Sequence, residues 1–274
     1  GPLAHKMGKV DLVVNLSGSP FSPHHRADKM KVAKDHVKRL KAPFLYVNQV
    51  GAQDELIFDG RSFLLDKKGK LIVEASAFNE DLVMIDLTKK LSEHRDQDSD
   101  ELEIMRKALV LGLQDFVKKT GQKRVHLGLS GGIDSALVAA LAVDALGPAR
   151  VSAVMLPGPY SSPGSVTDAE ALAKNLKIKV HRVDINKMYQ ESLAAAQAFD
   201  SEGVKKGSVT DQNLQARLRA VVLMAYSNQK DSMLLSTSNK SEIAAGFCTL
   251  DGDSCGGLAP IGDLTKTQVY ALSK

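Results

Sequence analysis

The residues with the most specific chemistry run from His126 to Ala140. His126-Leu127-Gly128-Leu129 reads as a buried strand, Ser130-Gly131-Gly132 as a tight turn, and Ile133-Asp134-Ser135 as the start of a helix. The two glycines can adopt backbone angles closed to other residues and let the main chain approach a ligand closely. Backbone N–H groups then converge at a helix N-terminus, where partial positive charge favours phosphate. Ser130 and Ser135 add hydroxyl donors. Asp134 is placed to hold Mg²⁺ against that phosphate, because Mg²⁺ prefers hard oxygens and shares them with substrate phosphates. No Gly-Lys-Ser/Thr follows, so this is not a Walker loop, and it is not G-x-G-x-x-G. The plain alternative is a strand-to-helix turn with no ligand.

Such a loop needs a parallel sheet to present it, and the flanking pattern supplies one. Strands are predicted at 125–129, 151–156, 180–185 and 232–236. Helices are predicted at 135–146 and 167–176, the latter with Ser165 and Asp168 as cap, then near 187–198 and 211–228. This alternation argues for a parallel sheet covered by helices on both faces. The first ninety residues or so differ. They read as a strand at 10–16, a helix through Met30, Ala33, Val37 and Leu40, and strands at 44–50, 61–65, 70–74 and 82–87. Asp66-Lys67-Lys68-Gly69 is a hairpin-type turn. Residues 92–100 are polar and read as a linker, with Asp100 and Glu103 forming a capping box for the helix that follows.

With 274 residues, about two domains are expected. Hydrophobic residues at 43% and charged residues at 25% exclude wholesale disorder and a disulfide-stapled miniprotein. No apolar run is long enough to suggest a membrane span. A net charge of +4, dispersed along the chain, does not argue for nucleic-acid binding. Only Cys248 and Cys255 are present, which points to a reducing compartment, the cytoplasm. The chain does not begin with Met and stops at Lys274 inside a helical pattern, so a piece of a longer protein is expected.

Ser-Gly-Gly-x-Asp-Ser in this setting resembles the pyrophosphate loop of the ATP pyrophosphatases. Five segments, in order, narrow the resemblance to the ammonia-transferring half of glutamine-dependent NAD synthetases. They are 155–162, 213–219, 236–242, Gly252-Asp253 with Gly256-Gly257, and 263–267. Residues 15–21, 48–51 and 58–62 resemble the later part of a nitrilase-type amidase, the glutaminase fused to those synthetases. The resemblance implies an α/β fold. The C-terminal part of a nitrilase-like α/β sandwich spans 1–92, a linker 93–100, and a doubly wound parallel-sheet ATP pyrophosphatase domain 101–274, incomplete at its C-terminus. The glutaminase's catalytic Glu, Lys and Cys precede the segment beginning near Val10 and have no counterpart here.

Site roles follow from the same resemblance. ATP would be held by Gly128, Leu129, Ser130, Gly131, Gly132, Ile133, Asp134, Ser135, Met155, Ser161, Thr237 and Lys266. Deamido-NAD would be held by Asn213, Arg217, Glu242 and Asp253, with Arg219 a further phosphate contact. Asp134 and Glu242 would share Mg²⁺, and Asp134 with Lys266 would be catalytic. Ser19 and His25 would contact glutamine, although the family usually has Lys or Arg where His25 stands. Several of these residues have ordinary alternatives. Glu242 suits a helix first turn, Thr237 a helix cap, Met155 a core position, and Arg217, Arg219 and Lys266 a solvated surface.

The implied reaction is ATP-dependent amidation of deamido-NAD through a nicotinate–AMP anhydride, with ammonia derived from glutamine. A homodimer or larger homo-oligomer is expected. Another pyrophosphate-loop enzyme of the GMP synthetase or thiolase kind, or a silent nucleotide-binding fragment, is the alternative.

Overall fold

The computed structural model describes residues 10–89, 100–199 and 202–274. The predicted linker falls largely on 93–99, outside the described residues. The chain forms two compact units, Gly1–Asp115 and Phe116–Lys274.

In the first unit, β1 (Val13–Ser17) and β2 (Phe44–Asn48) pair in parallel and are joined through α1 (His25–Leu40). Ala33 and Val37, one turn apart on α1, are buried against Phe44, Tyr46, Phe63 and Leu65. The predicted strand 44–50 breaks at Gln49 and continues as β3 (Val50–Gln53), which pairs with β4 (Leu56–Asp59) in a separate hairpin. β5 (Phe63–Leu65) and β6 (Leu71–Glu74) form the expected antiparallel pair. The Asp66 carboxylate accepts the Lys68 and Lys70 N–H groups at 2.8 Å, which folds the turn.

The predicted strand at 82–87 is absent. Val83 and Ile85 pack onto Leu64, Ile72 and Val73, while Leu82 and Met84 are almost fully exposed. The alternation is real, but no neighbouring strand completes a ladder there. α2 (Glu101–Lys119) begins as expected, with Asp100 accepting the Glu103 N–H at 2.7 Å. The Glu103 carboxylate, however, pairs with Arg106.

The second unit is built on the strand order β10-β7-β8-β9, all parallel. β7 (Val125–Gly128) and β8 (Val151–Met155) are central and nearly wholly buried, as parallel strands covered on both faces must be. β9 (Lys179–Arg182) and β10 (Met233–Leu234) flank them. α3 (Ile133–Leu146) and α4 (Pro163–Leu176) cover one face, and α6 (Val209–Lys230), with α5 (Asn186–Ala196) against it, covers the other. α4 starts earlier than predicted. Its cap is Ser162, which accepts the Ser165 N–H, because Pro163 is tolerated in a helix's first turn. Between β7 and β10 the chain order reverses. The crevice beyond their carboxyl ends is where such sheets bind ligands.

His126 lies on the α6 face with no exposed surface. Its Nε2–H donates to the Leu223 carbonyl at 3.0 Å, and its Nδ1 lies 3.1 Å from the Ser232 hydroxyl. Its ring rests against Tyr226. Burial holds this imidazole below its ordinary pKa despite the carbonyl contact. The folded protein therefore resists a proton that the unfolded chain accepts below about pH 6.5, so this contribution to stability is full above that value and is lost as pH falls. Thermal unfolding is expected to show a His126→Gln variant less stable than the parent at pH 7 but declining less steeply between pH 7 and 5. An equal decline would place the acid sensitivity elsewhere.

Candidate active site

The loop after β7 is shaped by a close backbone approach. Gly131 has φ +83°, and a Cβ there would sit 2.3 Å from the Ser165 carbonyl oxygen. Only glycine fits both the angle and the space. Gly132 then caps α3 in an extended conformation, with no side chain bonded to the helix end. Ser130 and Ser135 brace the turn instead. The Ser135 hydroxyl donates to the Gly132 carbonyl at 2.9 Å and lies 3.2 Å from the Ser130 hydroxyl. The N-terminus of α3, where the helix dipole concentrates partial positive charge, thus carries no side-chain cap.

Asp134, in the first turn of α3, is the centre of a charge cluster. Its Oδ2 accepts from Lys266 Nζ, and its Oδ1 accepts from Asn239 Nδ2 at 2.9 Å. Lys266 also lies 3.5 Å from Glu242 Oε1. Asn239 and Glu242 form the capping box of α7 (Lys240–Ala245), and Lys266 opens α8 (Lys266–Leu272) behind its own cap, Thr265. Burial alone would lower the Lys266 pKa, but the bond to Asp134 and the charges of Asp134 and Glu242 outweigh it and raise it. The amine therefore stays protonated at neutral pH. Among the described residues, no three His, Cys, Asp or Glu side chains gather as a metal-binding group.

Beside this cluster lies a cavity of about 340 Å³. The ends of β7, β8 and β10 line it through Gly128, Leu129, Ser130, Met155 and Thr237, with Ser161, Asp253 and Arg219 at its other walls. Gly256, at φ +154°, brings the loop carrying Asp253 against β10, where a Cβ would meet the Ser236 nitrogen at 2.6 Å. The Asp253 carbonyl lies within reach of the Ser236 and Ser238 hydroxyls. Arg219 donates to the Leu156 carbonyl at 3.2 Å, and burial lowers its pKa without removing its charge.

The start of α6 is anchored by buried Asp211. It accepts from Tyr189 Oη at 2.5 Å, Gly207 N–H at 2.6 Å and Gln215 Nε2 at 3.0 Å. Its burial favours the neutral acid, but those donors win and lower its pKa, while the Tyr189 phenol is pushed up.

Not every predicted residue meets the cavity. Asn213 accepts from the Thr249 hydroxyl at 2.8 Å, and exposed Arg217 donates to the Leu250 carbonyl. Both reach toward the loop that carries Asp253 rather than lining the cavity. In the first unit, Asn48 brackets Ser19 by bonding both its N–H and its carbonyl, whereas His25 is exposed at the start of α1. Asn239 was missed as a site residue, although its Asn-x-x-Glu spacing with Glu242 is a readable capping signal.

A Gly131→Ala substitution is expected to cost about 2 kcal/mol or more in thermal unfolding, through strain and backbone clash together. Gly121→Ala has a similar φ but open space around it, and should cost about 1 kcal/mol. Equal losses would show that the Ser165 approach carries no weight.

Residues 105–274 match the NAD synthase family profile. The chain is 44% identical over 276 residues to the glutamine-dependent NAD(+) synthetase of Synechocystis, covering 97% of this chain and 48% of that protein. A solved glutamine-dependent NAD+ synthetase from Acinetobacter baumannii, in complex with ADP, superposes with a TM-score of 0.92 at 37% identity. That match covers 99% of this chain and 51% of the other. The NH3-dependent NAD synthetase of Campylobacter jejuni gives a TM-score of 0.55 at 35% identity, over 63% of this chain and 72% of that one. The chain spans about half the length of the curated relatives it matches.

Proposed function

The chain belongs to the NAD synthase family, and from that premise we propose that it carries the ATP-dependent amidation of deamido-NAD to NAD. The observation that carries this reading is the convergence of Asp134, Glu242 and Lys266 beside the cavity at the carboxyl ends of β7 and β10. ATP would lie with its adenosine in the cavity, past Met155, Ser161 and Thr237. Its phosphates would sit on the backbone of the 128–135 loop and the N-terminus of α3. Asn213, Arg217, Glu242 and Asp253 would hold deamido-NAD. The Acinetobacter baumannii synthetase was solved in complex with ADP, which supports an adenine nucleotide as ligand.

A nicotinate carboxylate oxygen attacks the α-phosphorus, the bond to the bridging oxygen breaks, and pyrophosphate leaves. Ammonia then attacks the carboxyl carbon of the resulting anhydride. AMP departs with the C–O bonding pair, and the nitrogen loses a proton to give the amide. Lys266, protonated and adjacent, would screen the charge that builds on the leaving pyrophosphate. The loop and Arg219 would hold two mutually repelling anions in register, so orientation carries much of the rate.

Asp134 and Glu242 fit a Mg²⁺ ion, because two hard carboxylates already converge on one cation, the Lys266 ammonium. The remaining ligands would be phosphate oxygens and water, as Mg²⁺ prefers. When bound, it would neutralise phosphate charge.

Residues 1–92 would belong to a nitrilase-like glutaminase part that uses Ser19 and His25 toward glutamine, and the longer protein would draw its ammonia from there. A homo-oligomer is supported by Val221 and Met224, exposed on one face of α6. No helix of the described residues is long and apolar enough to cross a membrane, and both cysteines are free, which supports a cytoplasmic setting.

With ATP, Mg²⁺, ammonium and deamido-NAD, the chain is expected to form NAD and AMP in equal amounts. Asp134→Ala should abolish both products with the fold intact. Lys266→Met should lower kcat about 100-fold. AMP release with xanthosine monophosphate in place of deamido-NAD would overturn the substrate assignment, and ATP binding without turnover would favour a silent nucleotide-binding piece.

A further inference from the structure

Asn239 has no exposed surface, yet its side chain faces the charge cluster. Each part of it is used. Nδ2 donates to Asp134 Oδ1 at 2.9 Å, Oδ1 accepts the Glu242 N–H at 3.0 Å, and its backbone N–H donates to Glu242 Oε2 at 3.3 Å. Asp134 belongs to α3 and Glu242 to α7, two helices from distant parts of the chain. The buried side-chain amide therefore orients the Asp134 carboxylate, and the backbone N–H of the same residue holds that of Glu242. Each keeps a second oxygen for the Lys266 ammonium, Oδ2 on Asp134 and Oε1 on Glu242.

A helix cap requires only an acceptor, which Ser, Thr or Asp would also supply. The donor that reaches Asp134 is what Asn adds. An Asp here would place a third negative charge against Asp134, and a Ser would cap α7 but lack the reach and the second donor.

We propose that Asn239 is the positioning residue of this site, holding Asp134 and Glu242 in one frame so that a single cation meets both. The inference rests on the nucleotide reading above and adds a specific part to it. Asn239 acts through Asp134, to which its side chain is bonded. Its removal should therefore weaken cation binding and lower kcat more than it raises KM for deamido-NAD.

The test uses Mn²⁺ as the probe cation, titrated with ATP into the whole chain and followed by electron paramagnetic resonance. Asn239→Ser keeps the cap acceptor, and Asn239→Thr is a second variant that also keeps it should the first fold poorly. Mn²⁺ affinity in the presence of ATP is expected to fall about tenfold in these variants, the scale of a lost buried hydrogen bond to a charged group. Their thermal midpoints should stay within a few degrees of the parent. In an Asp134→Ala background the same substitution should cost nothing further. Parent-like Mn²⁺ binding in the cap-preserving variants overturns the inference, as does an equal loss with Asp134 already removed. Failure of the unsubstituted chain to bind Mn²⁺ with ATP overturns the nucleotide reading and the inference together.

Discussion

The contact between Asp134 and Lys266 joins residues 132 positions apart in the chain, and the second unit is arranged around it. The Lys266 side chain keeps 37% of its exposure, so the ion pair adds little to stability. What it records is position. A first-turn carboxylate, a capping-box carboxylate and a helix-opening lysine meet only if α3, α7 and α8 all start at the same end of one sheet. Parallel β7 and β10 give α3 and α7 that common end, and the reversal of strand order between them opens the crevice there.

Support for that end comes from both faces. On one, Gly131 admits the Ser165 backbone, so that α4 closes against the loop without displacing it. On the other, the neutral His126 ring ties β7 to α6, and the Asp211 network pins the start of the same helix. Arg219 is thereby carried to the cavity wall, and Asn213 and Arg217 are carried to the 249–253 loop. Buried polar groups of this kind are costly when unmet and orienting when fully met. Here they hold the helix that would face the anionic substrates.

The glycine turn was the most legible part of the sequence, because its residue types are demanded by local backbone geometry. The alternation of strands and helices was legible for the same reason, since burial on two faces leaves a clear apolar pattern. Non-local facts were not. Nothing near Leu82–Leu87 reveals that a ladder partner is missing, and nothing near Val50 reveals that the chain turns away at Gln49 to build a separate hairpin. The α4 start was misjudged because Ser165 looks as good a cap as Ser162 until Pro163 is weighed. His126 and Asn239 illustrate the limit most plainly. Each is a polar residue whose role depends on partners brought from other segments, Leu223 and Ser232 for the one and Asp134 for the other.

On the proposed reading, the Lys266 ammonium would meet a departing pyrophosphate rather than a γ-phosphate in transfer. The most direct measurement is therefore exchange of isotope-labelled pyrophosphate into ATP, catalysed by the chain without ammonia. Label should enter ATP only when deamido-NAD is present, because the adenylate must form and reverse. Release of ADP and phosphate, or exchange that ignores deamido-NAD, would contradict this assignment of the site.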